Sequence, residues 1–151
     1  MEPTNRSNVS ILLVDPESQL RQGLRNALMA EGFRGVRDFS RLDRAEEEIR
    51  LTSPDLLVID AKMPEGDAAG MIRDIRNRKI GYNPFFSIIV TIWNPDPDEV
   101  RRVVRSLLED GVTSLAGCLL HSYINPVHER EIAEIVRREF PDLYLSVSSE
   151  V

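Results

Sequence analysis

At 151 residues, 42 % hydrophobic and 29 % charged, the chain is sized for one domain with its own core and is too apolar for intrinsic disorder. A net charge of −6, with acids and bases interleaved, excludes the basic footprint of a nucleic-acid-binding module, and no run approaches the ~20 apolar residues of a membrane span. One cysteine, Cys118, allows no internal disulfide, which fits a reducing cytoplasm.

Residues 1–8 are polar and read as a flexible lead. Val9–Val14 is a continuous apolar run and reads as a buried strand. Residues 17–31 follow with helical spacing, placing Leu20, Leu24, Ala27 and Leu28 on one face before a C-terminal Gly32. Gly35–Ser40 is a weakly marked second strand. Residues 42–51 gather Leu42, Ala45 and Ile49 on a helix that ends ahead of Pro54. Asp55–Ile59 is the third strand. A helix over 67–78 follows, with Met71, Ile72 and Ile75 behind a cap at Asp67. Ser87–Ile92 is the fourth strand. The helix over 97–109 carries Val100, Val103, Val104 and Leu107, and Gly111 follows it. Leu115–Leu120 is the fifth strand, 126–139 a helix with Pro126 in its first turn, and Leu143–Val147 a sixth strand.

Strands without polar alternation are buried on both faces, which is the mark of a parallel sheet covered by helices. Five strand–helix units and a final strand, joined by right-handed crossovers, predict an α/β fold. The architecture expected is three-layer α/β/α, a doubly wound parallel sheet of five strands plus a sixth at the C-terminus.

Ligands of such sheets bind beyond the carboxyl ends of the strands. The first strand ends in Val14-Asp15-Pro16-Glu17 and the third in Ile59-Asp60, while Thr91 stands near the end of the fourth. Like carboxylates brought together repel and need a reason; a hard divalent cation such as Mg²⁺ supplies one. With a hydroxyl at Thr91 to bind a phosphoryl oxygen, the set suits phosphoryl transfer onto Asp60. Each acid alone reads more readily as a helix cap; their occurrence together, with Thr91, favours phosphoryl transfer.

Other chemistry-bearing residues read as structural. His121 and His128 make no H-E-x-x-H pair, since Ile132 stands four after His128. Cys118 lies in an apolar run and reads as buried and inert. Glu46-Glu47-Glu48 reads as a solvated helix face, Glu65-Gly66-Asp67 as a turn, and Phe85, Phe86 and Trp93 as core or loop packing around the fourth strand.

Residues 9–106 resemble the receiver domain of two-component response regulators through ILLVDPES, PDLLVIDAKMPEGDAAGMIRDIR and SIIVT followed by a helix. The D-x-x-M-P run at Asp60–Pro64 is the most specific element. The resemblance implies a flavodoxin-like fold in a non-enzymatic signalling module, with a histidine kinase or small phosphodonor as partner. It implies Asp60 as phosphoacceptor, Thr91 as the hydroxyl that follows phosphorylation, and a Mg²⁺ site of Asp15, Asp60 and the backbone carbonyl of Lys62. Three departures stand out. Pro16 replaces the second acid of the pocket, so metal binding is expected to be weak and Glu17 is its partial substitute. Ile92 replaces the small residue after the threonine. Counted from Gly111, the fifth-strand Lys-Pro pair falls on Cys118 and Leu119, and the aromatic switch position on Leu115.

Residues 107–151 are similar to a segment of the hydantoinase/oxoprolinase A-subunit family, through CLLHSYINPVHERE and LYLSVSSEV. The nucleotide and substrate sites of those large enzymes are not in this stretch. The chain therefore reads as a mosaic, recombined or engineered: a single receiver-like domain whose last strand–helix–strand piece has a different origin, stopping directly after a strand. Two functions follow as expectations, a receiver impaired by the missing lysine or a flavodoxin-like scaffold outside any phosphorelay. The sixth strand offers an exposed edge and a route to a homodimer.

Overall fold

The computed structural model describes residues 5–92, 96–117, 127–147 and 150. The chain divides into two compact units, Met1–Trp93 and Asn94–Val151. Pro126, Cys118, Leu119, His121 and Trp93 lie outside the described residues.

In the first unit a 3-10 turn at Arg6–Asn8 precedes strand β1, Ser10–Val14. Helix α1 spans Ser18–Ala30, β2 Gly35–Phe39, α2 Leu42–Leu51, β3 Leu56–Asp60, α3 Ala68–Arg76 and β4 Ser87–Thr91. The sheet order is β2-β1-β3-β4 and every pairing is parallel. The order reverses at β1: the chain moves outward to β2, then crosses back to β3.

The run of fully buried residues Ile11–Val14 explains β1's central place. Side chains alternate across a strand. Ile11 and Leu13 thus share one face with Val36, against which Leu28 of α1 and Phe33 pack. Leu12 and Val14 fall on the other face, in register with the equally buried Leu57 and Ile59 of β3. Met71, Ile72 and Ile75 of α3 are buried as the helical spacing predicts; of the expected α2 stripe Ala45 and Ile49 are buried, while Leu42, the helix's first residue, is only partly covered.

Helix α1 differs from its expectation. None of its residues is fully buried, and Leu24 is 41 % exposed. Its end is closed by two backbone bonds, Gly32 N–H to the Met29 carbonyl and Phe33 N–H to the Leu28 carbonyl, with Gly32 at φ +93°. That left-handed residue is where glycine costs no steric strain. The pairing then sets Phe33 beside Leu28 on the core.

Between β3 and α3, Lys62–Met63 and Gly66–Asp67 form a two-residue antiparallel ladder around Pro64-Glu65, so the expected turn is a small hairpin. The helix then starts at Ala68 and ends at Arg76, two residues short of the expected 78. Phe86 is buried, but its neighbour Phe85 is 81 % exposed. Adjacent residues entering a strand point to opposite sides, so only one of the pair can enter the core.

The second unit holds α4 (Pro97–Glu109), β5 (Ser114–Gly117), α5 (Val127–Glu139) and β6 (Tyr144–Val147). The expected sixth strand forms and pairs in parallel with β5 in a two-stranded sheet. Asp96 caps α4, its Oδ1 accepting the Glu99 amide at 2.8 Å, with Pro97 in the first turn. Val100, Val104, Val136 and Leu143 form the core of this unit, and Leu115, Ile132 and Leu145 pack on it.

Candidate functional site

The strand ends bring the predicted acids together. Val14 of β1 is in register with Ile59 of β3, so Asp15 and Asp60, each the next residue, stand on neighbouring strands. Strands in a sheet lie about 4.8 Å apart, which is the spacing that brings two carboxylates into one crevice. Asp60 is in turn paired with Thr91 of β4, and the Ala61 amide donates to the Thr91 carbonyl at 2.8 Å. The three residues therefore occupy one row across β1, β3 and β4.

Asp60 is 7 % exposed. Its Oδ1 accepts the Lys62 amide at 2.7 Å, which fixes the direction of the carboxylate from the first residue of the small hairpin. The Thr91 hydroxyl donates to the Ile59 carbonyl at 3.4 Å, a long bond that a better acceptor can replace. Asp15 is half-buried and its Oδ1 accepts the Glu17 amide at 2.7 Å. Burial pushes the Asp15 carboxyl above its usual range; the Glu17 amide and the Arg21 charge pull it back, and the Glu17 charge adds to the rise. Glu17 itself caps α1, with Oε1 accepting the Gln19 amide at 3.5 Å, so the carboxylate expected to help with metal also serves the helix end.

Two residues of this neighbourhood escape a reading of the sequence alone. Arg21 of α1 donates from Nη1 to the Asp15 carbonyl at 2.6 Å and from Nε to Asp38 Oδ2 at 3.2 Å. Asp38, near the end of β2, also accepts Arg25 Nη1 at 2.9 Å. Asp38 is a third acid near a strand's carboxyl end, but β2 is so weakly marked in the sequence that its end gives little signal.

Among the described residues no group of three or more His, Cys, Asp or Glu side chains is placed to hold a metal ion. Pro16 is exposed and brings no donor. Two carboxylates on adjacent strands still fit Mg²⁺, which keeps much of its shell as water and phosphate oxygens. The donor set is one acid short of the pocket that the receiver resemblance implies.

The parallel sheet with acids at the ends of β1 and β3 is the fold of response-regulator receiver domains. The similarity to known proteins is of two kinds. Over 67 residues the chain is 37 % identical to the KDP operon transcriptional regulatory protein KdpE of Escherichia coli strain K12, a match covering 44 % of this chain and 29 % of that protein. The beryllofluoride-activated NtrC4 receiver domain dimer superposes with a TM-score of 0.54 at 25 % identity, covering 64 % of this chain and 76 % of that one. A response regulator receiver domain protein from Clostridium thermocellum superposes with a TM-score of 0.56 at 21 % identity over 87 % of this chain and 96 % of its own, a likeness of fold.

The later part resembles something else. Residues 73–140 match the family described as hydantoinase/oxoprolinase N-terminal region. Over 64 residues the chain is 39 % identical to the 5-oxoprolinase of Saccharomyces cerevisiae, 42 % of this chain and 5 % of that enzyme. The family match reaches back to α3, ahead of residue 107, and ends with α5, before β6. The chain thus spans well under two thirds of the curated relatives it matches. No helix among the described residues is long and apolar enough to cross a membrane.

Proposed function

We propose that the chain is a receiver module that takes a phosphoryl group on Asp60 from a histidine kinase. The observation that carries the reading is the row Asp15, Asp60, Thr91 across three adjacent parallel strands, with Asp60 buried and held by the Lys62 amide. In the reaction an Asp60 carboxylate oxygen bonds to phosphorus as the phosphorus–nitrogen bond of the donor phosphohistidine breaks, and the imidazole leaves and takes a proton. The Lys62 amide orients the nucleophile. The Thr91 hydroxyl exchanges the Ile59 carbonyl for a phosphoryl oxygen, drawing β4 toward the site. Asp15, Asp60 and the Lys62 carbonyl would hold Mg²⁺, with Glu17 as an accessory; the ion, when bound, neutralises charge on the transferred group. The sequence places Cys118 where an ammonium would pair with the product, and a thiol offers no such charge. Transfer is therefore slow and the acyl phosphate poorly coupled to any output. We read the module as non-enzymatic and intracellular, able to pair with a second copy, with a piece of different origin from about residue 107.

A specific observation favours a second reading, a scaffold outside any phosphorelay: the donor set lacks the acid that Pro16 replaces, and no three-carboxylate group stands in for it among the described residues. One experiment separates the two. The chain is incubated with a small acyl phosphate and Mg²⁺ and its intact mass is read. A phosphoryl adduct, lost in Asp60→Asn, supports the receiver. No adduct at any donor concentration supports the scaffold.

A further inference from the structure

We propose that the end of the first unit opposite the strand-end acids is a docking surface for a partner protein's apolar segment bearing a carboxylate. Two segments build this end, residues 52–55 ahead of β3 and 77–86 ahead of β4. They display three large apolar side chains in water: Leu51 at the end of α2 (79 % exposed), Tyr82 (70 %) and Phe85 (81 %). The Asn83–Ser53 hydrogen bond joins the two segments, and exposed large apolar side chains on joined segments mark interaction sites more often than scattered single ones do.

The 77–86 segment is held in one shape. Asn83 donates to Ser53 Oγ at 3.0 Å and accepts the Phe85 amide at 2.9 Å. Arg76 donates to the carbonyls of Pro84 and Phe86 and lies over the Phe86 ring, and burial pulls its guanidinium below its usual value. Gly81 sits at φ +70° against the backbone and side chain of Ile49, a contact that a Cβ would crowd. The backbone that carries Tyr82 and Phe85 is thus braced on either side of Asn83. A braced backbone loses little entropy on binding, and aromatic and arginine side chains are the usual carriers of interface energy.

Charge selects the occupant. Residues 73–86 contain Arg73, Arg76, Arg78 and Lys79 against one acid, Asp74, and the other segment adds Asp55, whose Oδ2 accepts the Ser10 amide at 2.8 Å, in a chain that is acidic as a whole. Lys79 pairs with Asp74 at 3.3 Å, whereas Arg78 is exposed and makes no ion pair among the described residues. One available guanidinium beside apolar anchors matches a segment with a carboxylate set among apolar side chains. It is too little charge for an anionic membrane or for nucleic acid, both of which draw strongly basic surfaces.

The proposal is independent of phosphorylation and is tested on the unphosphorylated full chain. Random peptides displayed on phage are selected on the wild type and on Phe85→Ser, an exposed change that leaves the core intact. Selected sequences are expected to carry Asp or Glu among Leu, Phe or Trp. A synthetic copy of the best one is expected to bind about tenfold more weakly to Phe85→Ser or Arg78→Glu, the loss a hot-spot residue brings. The proposal is overturned if no peptide is enriched, if enrichment lacks acids, or if binding survives both substitutions. It is equally overturned if Phe85→Ser abolishes self-association seen by sedimentation, or if vesicles with anionic lipid bind the wild type and not Arg78→Glu.

Discussion

Replacing Asp38 by Asn removes one charge from a cluster that reaches the candidate site. Asp38 accepts Arg21 Nε at 3.2 Å and Arg25 Nη1 at 2.9 Å. The Arg21 pair is well shielded, with side-chain exposures of 14 % and 22 %, while Arg25 is 45 % exposed. A shielded hydrogen bond to a charged group contributes about 1.5–3 kcal/mol, and an exposed pair about 0.2–1. Asparagine keeps the shape and one acceptor oxygen, so part of the first contribution survives and the expected loss is about 2 kcal/mol. With a urea dependence of roughly 2 kcal/mol per molar, the unfolding midpoint falls by about 1 M. A double-mutant cycle with Arg21→Met is expected to assign most of the loss to that pair, and high salt to remove only the Arg25 share. A midpoint shift below about 0.2 M, or a coupling near zero, refutes the reasoning that Asp38 anchors Arg21 beneath Asp15.

Three further outcomes follow. Asp15 is raised by burial, so its charged form is disfavoured in the fold: its contribution is most favourable below the unfolded pKa and is lost as pH rises through the folded one. Asp15→Asn therefore raises the melting temperature at neutral pH, and the gain fades as the pH falls through the carboxylate range; a gain that grows on acidification contradicts the assignment. A Cβ on Gly35 would meet the Val9 carbonyl oxygen at 2.6 Å, so Gly35→Ala is expected to cost about 1–3 kcal/mol in urea unfolding, and a neutral change refutes the close approach. Val136 is fully buried in the core of the second unit, so Val136→Ala is expected to lower the hydrogen-exchange protection of the Val100 and Val104 amides by about 2 kcal/mol, and unchanged protection refutes that packing.

Much of this was legible before any coordinates. The apolar run Ile11–Val14 and its echo at Leu57–Ile59 mark strands buried on both faces, and their ends deliver Asp15 and Asp60 to one place. Helices with a clear apolar stripe, α2, α3 and α4, bury the residues that the spacing selects, apart from Leu42 at the start of α2, which is only partly covered. What escaped depends on tertiary contacts. Leu20, Leu24, Ala27 and Leu28 make a convincing stripe, yet Leu28 packs on the core of that face while Leu24 and Ala27 are exposed, because periodicity says which residues share a side and not whether anything covers them. The Arg21–Asp38 link joins residues from different elements and leaves no periodic trace. The exposed Phe85 was indistinguishable from buried Phe86 until the direction of β4 was known.

Phosphoryl transfer onto Asp60 is tested most directly by intact-mass measurement after exposure to a small acyl phosphate with Mg²⁺, beside Asp60→Asn. A single phosphoryl adduct is expected on the wild type, formed slowly, removed by hydroxylamine and absent from Asp60→Asn. An unmodified wild type, or an adduct that persists in Asp60→Asn, contradicts it.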